Sequence, residues 1–337
     1  MHERIVFISS YYSAFKHAKT FAEIRGMPAV YKFFEYNLRA GKQITWLVSE
    51  KAVNHKVNFP VGSVLVQSFH WYKLREIKNS LVIVDRANLN KAFWIRLFGF
   101  SVGIRIHGVS NFNDKLNVFW WRLRLLPGLL ALRNEQIRVV FTIDGSPIDR
   151  FISNTRTNSY MKRINGVDIP AQTVNNQRPH KIVWIGRDSK DKGVDILELF
   201  INQVSHLYDI TVIGLDRNIE NVRNLGRIPH DKVLRILSNT AILLSTNRLG
   251  NLCNTVLEAV SCGCKIMTLP EDTLTGRDEE TMLALNPVFR IGIKPKTISE
   301  EIQKCISDQR KQKLVLKSWE EVVCLETNFF EWHDSDS

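Results

Sequence analysis

Residues 181–206 read KIVWIGRDSKDKGVDILELFINQVSH, and the fold turns on how this stretch divides. Lys181 to Ile185 is a short β-branched and aromatic run, the composition of a buried strand. Val194 to His206 carries apolar residues at helical spacing. Between them lies Gly186-Arg187-Asp188-Ser189-Lys190-Asp191-Lys192-Gly193: a glycine directly after the strand, spaced cations, then a helix start. Gly186 lets backbone approach a ligand, the helix end offers unpaired N–H groups, and Arg187 and Lys192 add two positive charges. At ~4 Å from a phosphate each cation contributes ~4 kcal/mol of attraction at an effective dielectric of ~20, before desolvation. Such a pair can stand where a metal ion otherwise would. The same spacing also reads as a charged surface turn.

Outward from this stretch the rhythm continues. Strands are predicted at Ile210 to Ile213, Ala241 to Leu244 and Lys265 to Met267, with a further helix over Asp231 to Leu237. Upstream, the polar, Pro-bounded Ile169 to Pro179 reads as a linker. Before it, Ile5 to Ile8 reads as a first strand, followed by a polar and aromatic loop ending near Gly26. A helix runs from Pro28 through Val30, Phe33, Phe34 and Leu38 to Gly41, and Ile44 to Val48 returns as a strand. Val64 to Val66, Leu81 to Val84, Val102 to Ile106 and Val139 to Ile143 are further strands. The expectation is α/β: two doubly wound, Rossmann-like domains with parallel sheets covered on both faces. Ligands then bind at the carboxyl ends of the strands and, with two sheets facing, in the cleft between them.

A second segment, Leu249 to Gly263, is a Gly/Asn loop leading into a short helix. Asn254 is the expected N-cap, Val256, Ala259 and Val260 form the apolar stripe, and Gly263 ends the helix. Its loop can present N–H groups to a diphosphate, and Glu258, one turn in, can accept hydrogen bonds from a sugar diol. Glu258 reads equally as a solvated first-turn acid favoured by the helix dipole.

Together these segments resemble glycosyltransferase family 4, the retaining sugar transferases of GT-B architecture. Gly186 to Gly193 is similar to the family's Gly-Arg-x4-Lys-Gly element, and Asn254 to Gly263 to its Leu-Glu-Ala helix. Asn165-Gly166-Val167-Asp168, Gly226-Arg227-Ile228-Pro229 and Lys317-Ser318-Trp319-Glu320 resemble three further family elements in the family's order. The resemblance implies that Arg187 and Lys192 hold the donor diphosphate and carry catalysis with His107, whose imidazole approaches the transferred sugar. It implies that Gly186, Gly214, Asn251 and Asn254 also line the donor, that Glu258 binds the ribose, and that main chain near Ile228 receives the base. Gly26 falls where the family carries a glycine-rich acceptor loop. No metal and no cofactor are implied, the nucleotide sugar being a substrate. One departure stands out: the family's Glu-x7-Glu has Gly250 at its first position here, with no side chain to touch a hexose. Arg248, Asn251 or Asn254 are the candidates to replace that contact.

The implied division is an acceptor-binding domain over 1–168, the linker 169–179, a nucleotide-sugar domain over 180–315, and a C-terminal helix over 316–337 that packs back on the first domain. Composition agrees with two cores: 337 residues, 44% hydrophobic, with only 17 Gly and 10 Pro. Charge is divided unevenly. Residues 1–168 hold 25 Lys and Arg against 11 Asp and Glu, an excess of 14 positive charges, while the remainder carries 21 against 23.

Arg96, Arg105, Arg122, Arg124, Arg133 and Arg138 are interleaved with Phe93, Trp94, Leu97, Phe98, Phe119, Trp120 and Trp121. This reads either as an interfacial surface for anionic membrane or as a buried helix whose arginines snorkel to water. The most apolar stretch, Phe119 to Leu132, is broken by Arg122, Arg124, Pro127 and Gly128, so no span is expected. The N-terminal apolar run is too short for a signal-peptide core, and the five cysteines lack paired spacing, so a cytoplasmic protein with reduced thiols is expected.

Ser9 to Ala18 contains no glycine, against a dinucleotide-binding dehydrogenase. No recognition-helix, zinc or RNP-type signature accompanies the basic half, and nucleic acid is not an expected partner. The expected partners are a nucleotide-sugar donor, a glycan or glycolipid acceptor and an anionic membrane surface.

Overall fold

A computed structural model of the chain describes residues 2–9, 28–73, 79–85, 89–106, 118–142, 154, 160–168, 181–248, 253–269, 289–290, 295–310 and 315–331. Two compact units emerge: one of Met1–Ile143, Pro147–Gly166 and Trp319–Ser337, the other of Asp144–Ser146 and Val167–Ser318. In chain order the helices are α1 (Pro28–Arg39), α2 (Leu89–Leu97), α3 (Phe119–Arg133), α4 (Val194–Val204), α5 (His230–Ser238), α6 (Asn254–Ser261), α7 (Pro295–Ser307) and α8 (Trp319–Glu331). The expected linker, 169–179, lies outside the described residues.

The first unit is built on eight strands: β1 (Arg4–Ser9), β2 (Gln43–Val48), β3 (Asn54–Phe59), β4 (Gly62–Ser68), β5 (Leu81–Asp85), β6 (Ser101–Ile106), β7 (Arg138–Thr142) and β8 (Tyr160–Arg163). Their order is β3-β4-β2-β1-β5-β6-β7-β8, parallel throughout except for the β3–β4 hairpin. Alternate residues of each central strand feed opposite cores. Ile5, Phe7, Leu81 and Ile83 pack with Val30, Phe33 and Phe34 of α1 on one face. Val6, Ile8, Val82 and Val84 pack with Ala92 and Ile95 of α2 and Ala131 and Leu132 of α3 on the other. A parallel sheet buried on both faces is therefore apolar at successive positions, which is why these strands are legible as runs. β3 is not, because only Val57 and Phe59 of its six residues are buried on this sheet edge.

Helix α8 joins this unit although it closes the chain. Val323 and Phe330 enter the α1 core, and β6 makes room with Gly103, where a Cβ would come 2.5 Å from the Phe330 ring.

The second unit holds β9 (Lys181–Ile185), β10 (Asp209–Ile213), β11 (Arg223–Asn224), β12 (Ile242–Ser245), β13 (Lys265–Thr268) and β14 (Phe289–Arg290). All run parallel in the order β11-β10-β9-β12-β13-β14. Counted within the unit this is 3-2-1-4-5-6, the doubly wound order, with its switch point between β9 and β12. Val194, Leu197, Phe200, Ile201 and Val204 of α4 supply one helical stripe of the core, and Ile298, Ile302 and Cys305 of α7 another. The fold is α/β with two doubly wound sheets, parallel apart from the β3–β4 edge hairpin, and the α/β, doubly wound class is the one the sequence predicts.

Candidate functional site

At a switch point the chain leaves neighbouring strands in opposite directions, so the carboxyl ends of β9 and β12 bound a crevice. Trp184, Lys192, Thr246, Asn247, Cys253 and Thr255 line it, and it is narrow, with a volume of about 10 Å³. The loop after β9 is held there by Thr246, which follows β12. Its hydroxyl donates to the Lys192 carbonyl (2.6 Å) and accepts from the Trp184 indole N–H (2.8 Å). Gly193 turns the chain into α4 at φ +63°, and a Cβ there would lie 2.3 Å from the Thr246 carbonyl oxygen. Only glycine fits both the left-handed conformation and the close approach. Arg248 fastens the same loop by its backbone N–H to the Asp191 carbonyl (2.9 Å) and by its guanidinium to Asp195 at the start of α4 (2.6 Å).

Beside β9 the backbone approach is equally close. Gly214, at φ +95° after β10, sits where a Cβ would meet the Gly186 carbonyl at 2.4 Å, and its N–H donates to the Gly226 carbonyl (2.7 Å). Three glycines thus line the carboxyl ends of β9, β10 and β11, with Ile228 half-buried two residues beyond the third.

The predicted residues divide as follows. Lys192 lines the crevice together with Thr255 and Val256 of the first turn of α6. Arg187 is 71% exposed and pairs with Asp191 (3.2 Å) and with the Ser189 hydroxyl (3.3 Å). Burial raises the Asp191 carboxyl pKa, but the Ser189 and Arg187 hydrogen bonds and the Arg187 charge outweigh it and hold Asp191 below the usual carboxylate range. Glu258, within α6, is bound to His230 Nε2 at 3.0 Å. That contact ties α6 to the start of α5, two residues after Ile228. Asn254 is the first helical residue of α6 rather than its cap; Cys253 occupies the cap position and makes no side-chain cap bond. Gly26, His107, Gly250 and Asn251 lie outside the described residues. Arg248, considered as a replacement for the missing Glu, has its guanidinium on Asp195.

Two further features have no counterpart in the sequence reading. Thr246 carries no motif of its own, and only its place across the switch point from Gly193 reveals its role. In the first unit, Arg105 groups by sequence with the cations of the aromatic segments. It is instead fully buried, paired with Glu326 of α8, which also reaches Arg163 at the end of β8 (3.2 Å). Among the described residues no group of three or more His, Cys, Asp and Glu is placed to hold a metal ion, and no helix is long and apolar enough to cross a membrane.

Sucrose-phosphate synthase from Thermosynechococcus elongatus superposes with TM-score 0.62 at 12% identity, covering 97% of this chain and 98% of that one. The chain has the GT-B fold. An α,α-trehalose-phosphate synthase (UDP-forming) from Burkholderia vietnamiensis gives 0.61 at 9% identity over 98% and 94% of the two chains. WaaG, a glycosyltransferase involved in lipopolysaccharide biosynthesis, gives 0.55 at 12% identity over 98% and 96%. At these identities the likeness speaks for the fold alone. No protein-family model matches the sequence, and no curated protein matches it.

Proposed function

We propose that the chain is a retaining, metal-independent glycosyltransferase. It moves a hexose from a nucleotide sugar to a lipid-linked glycan or lipopolysaccharide-type acceptor, and it works in the cytoplasm at the inner face of the cell membrane. The observation that carries this reading is the meeting of Lys192, Thr246 and the first turn of α6 in one crevice at the switch point of the second sheet. Support comes also from the family-like elements of the sequence and from neighbours whose names denote sugar transfer, one of them UDP-forming.

On this reading the donor diphosphate lies between the Lys192 ammonium and the N–H groups that open α6, and Arg187 exchanges Asp191 for a phosphate oxygen. Gly186 and Gly214 let main chain approach the nucleotide, Glu258 accepts from the ribose hydroxyls, and backbone near Ile228 receives the base. Asn254 and Asn251 face the sugar in place of the side chain that Gly250 lacks. His107 and Gly26 belong to the acceptor side, His107 next to the transferred hexose. Retaining transfer needs negative charge stabilised on the departing diphosphate, and preformed cations and helix N–H groups do this without reorganising as the bond breaks.

The test is thermal stabilisation of the purified chain by nucleoside diphosphates and nucleotide sugars. A ligand at 100 times its dissociation constant adds ~2.7 kcal/mol, a readily measured rise in midpoint. One base should stabilise strongly, and Lys192→Ala should reduce the effect without abolishing it. A panel in which no nucleoside diphosphate shifts the midpoint would overturn the reading.

A further inference from the structure

Helix α3 is most apolar where it is least covered. Phe119 (66% exposed), Trp120 (76%), Trp121, Leu123 and Leu126 all stand out from the first unit, and only Gly128, Ala131 and Leu132 of the helix are buried. Of the two alternatives the sequence leaves open, a buried helix with snorkelling arginines is therefore excluded for these turns. The exposure follows from how the helix is anchored. Pro127 has no N–H to offer the turn before it, and Asn90 of α2 enters there. Its amide donates to the Arg124 carbonyl (2.8 Å) and accepts from the Gly128 N–H (2.9 Å), replacing the helical bond between those two groups. A Cβ on Gly128 would lie 2.7 Å from Leu89, so the grip depends on glycine. The helix is thus clamped at its middle, and Phe119 to Leu126 project from the clamp.

The chemistry of the projection selects its partner. α2 and α3 together contain Lys91, Arg96, Arg122, Arg124 and Arg133 and no acidic residue. Arg122 and Arg124 are exposed cations of the projecting turns. The Arg124 guanidinium lies 5.2 Å from the Trp121 ring. Apolar side chains point to every side of these turns, and fluid lipid can close around them where a rigid protein face meets only one side. A second copy would bring together two units that each carry a large positive excess, and like charges repel.

We infer that Phe119 to Leu126 dock on an anionic lipid bilayer, the aromatic rings entering the headgroup layer while Arg122 and Arg124 meet lipid phosphates. This rests on the membrane-surface part of the proposed function and not on its donor site.

The experiment is sedimentation of the full chain with vesicles of phosphatidylcholine and phosphatidylglycerol, against phosphatidylcholine alone, with two double variants. Both variants change exposed side chains, so melting midpoints should match wild type. Wild type should pellet with the anionic vesicles and be released by salt. Phe119→Ser with Trp120→Ser should remain in the supernatant. Arg122→Gln with Arg124→Gln should bind about thirtyfold more weakly, as expected for two cations at about 1 kcal/mol each. A wild-type chain that does not pellet, or variants that pellet equally, would overturn the inference. So would self-association of wild type in sedimentation velocity that Trp120→Ser abolishes while vesicle binding is absent, since that assigns the face to a second copy. Stabilisation by a nucleoside diphosphate should persist in every variant, so failure here is separable from failure of the donor reading.

Discussion

Arg105 and Glu326 face each other with Nε and Oε1 2.5 Å apart, both side chains without solvent exposure, from strand and helix 221 residues apart in sequence. The same guanidinium donates to the Ala29 carbonyl at the start of α1 (2.8 Å) and lies 5.0 Å from the Phe33 ring. Glu326 continues to Arg163, so one carboxylate on the last helix joins β6 and β8. Asp85, at the end of β5 opposite Arg105 in the sheet register, completes a buried ionic group at the carboxyl edge of the first sheet.

Removing the shared carboxylate should be costly. Glu326→Ala leaves two buried guanidinium groups without their anion, and breaking a buried pair on one side costs about 3–5 kcal/mol. The exposed Lys304–Glu301 pair, screened by water, should contribute far less. Chemical-denaturation midpoints of Glu326→Ala and Lys304→Ala decide this, and similar losses for both would show that the buried group is not holding α8.

Asp85 should impose a pH dependence. Burial raises its carboxyl to about 7, with Glu326 adding to the shift and Arg105 and Arg163 opposing it. A group that binds its proton more tightly when folded adds stability below its unfolded pKa and loses it as pH rises through the folded value. Stability should therefore fall between about pH 4 and pH 7. Asp85→Asn, which imitates the protonated form, should match wild type near pH 4 and melt higher at pH 8. Parallel pH profiles for the two proteins would count against a buried, proton-binding Asp85.

Two glycines with similar φ should respond differently to the same change. Gly41, which ends α1 at φ +78°, has open space for at least 4 Å around the position of an added Cβ, so Gly41→Ala should cost only the left-handed strain of about 1–2 kcal/mol. At Gly193 the Cβ also meets the Thr246 carbonyl, and the loop carrying Lys192 must move. Gly193→Ala should therefore lower the melting midpoint further and weaken nucleotide binding. Equal midpoints for the two variants would contradict the close approach.

Arg187→Ala and Lys192→Ala should each reduce sugar transfer at least ~10-fold, with turnover affected more than donor binding, because charge on the leaving diphosphate is greatest in the transition state. Neither side chain is in a hydrophobic core, so melting midpoints should stay near wild type. Transfer assayed with the nucleotide sugar that stabilises the chain gives the answer, and wild-type turnover in either variant would remove these residues from the mechanism.

Much of the second unit is legible in the sequence. The boundaries of β9 emerge from the residues alone because a central parallel strand is apolar on both faces and glycine marks its end. α4 is legible from its 3.6-residue stripe, though it ends at Val204, two residues before the expected boundary. The edge strand β3 and the two-residue β11 and β14 are not, since one exposed face or two residues leave too weak a pattern. Of the site, Gly186, Lys192 and Glu258 stand out through glycine and charge at helix and strand ends. Thr246 and His230 do not, because a threonine or histidine acquires its role only from what lies opposite.

The order of strands and helices, the glycines at their ends and the one-sided charge are local properties, written in periodicity and residue type and readable without coordinates. Which cations are buried was decided in three dimensions. Arg105 and Arg122 have the same side chain and similar neighbours in sequence, yet one is enclosed with Glu326 and the other stands on an exposed helix. Burial depends on which distant segment returns to cover a residue, and that return is a long-range packing event that no local pattern records.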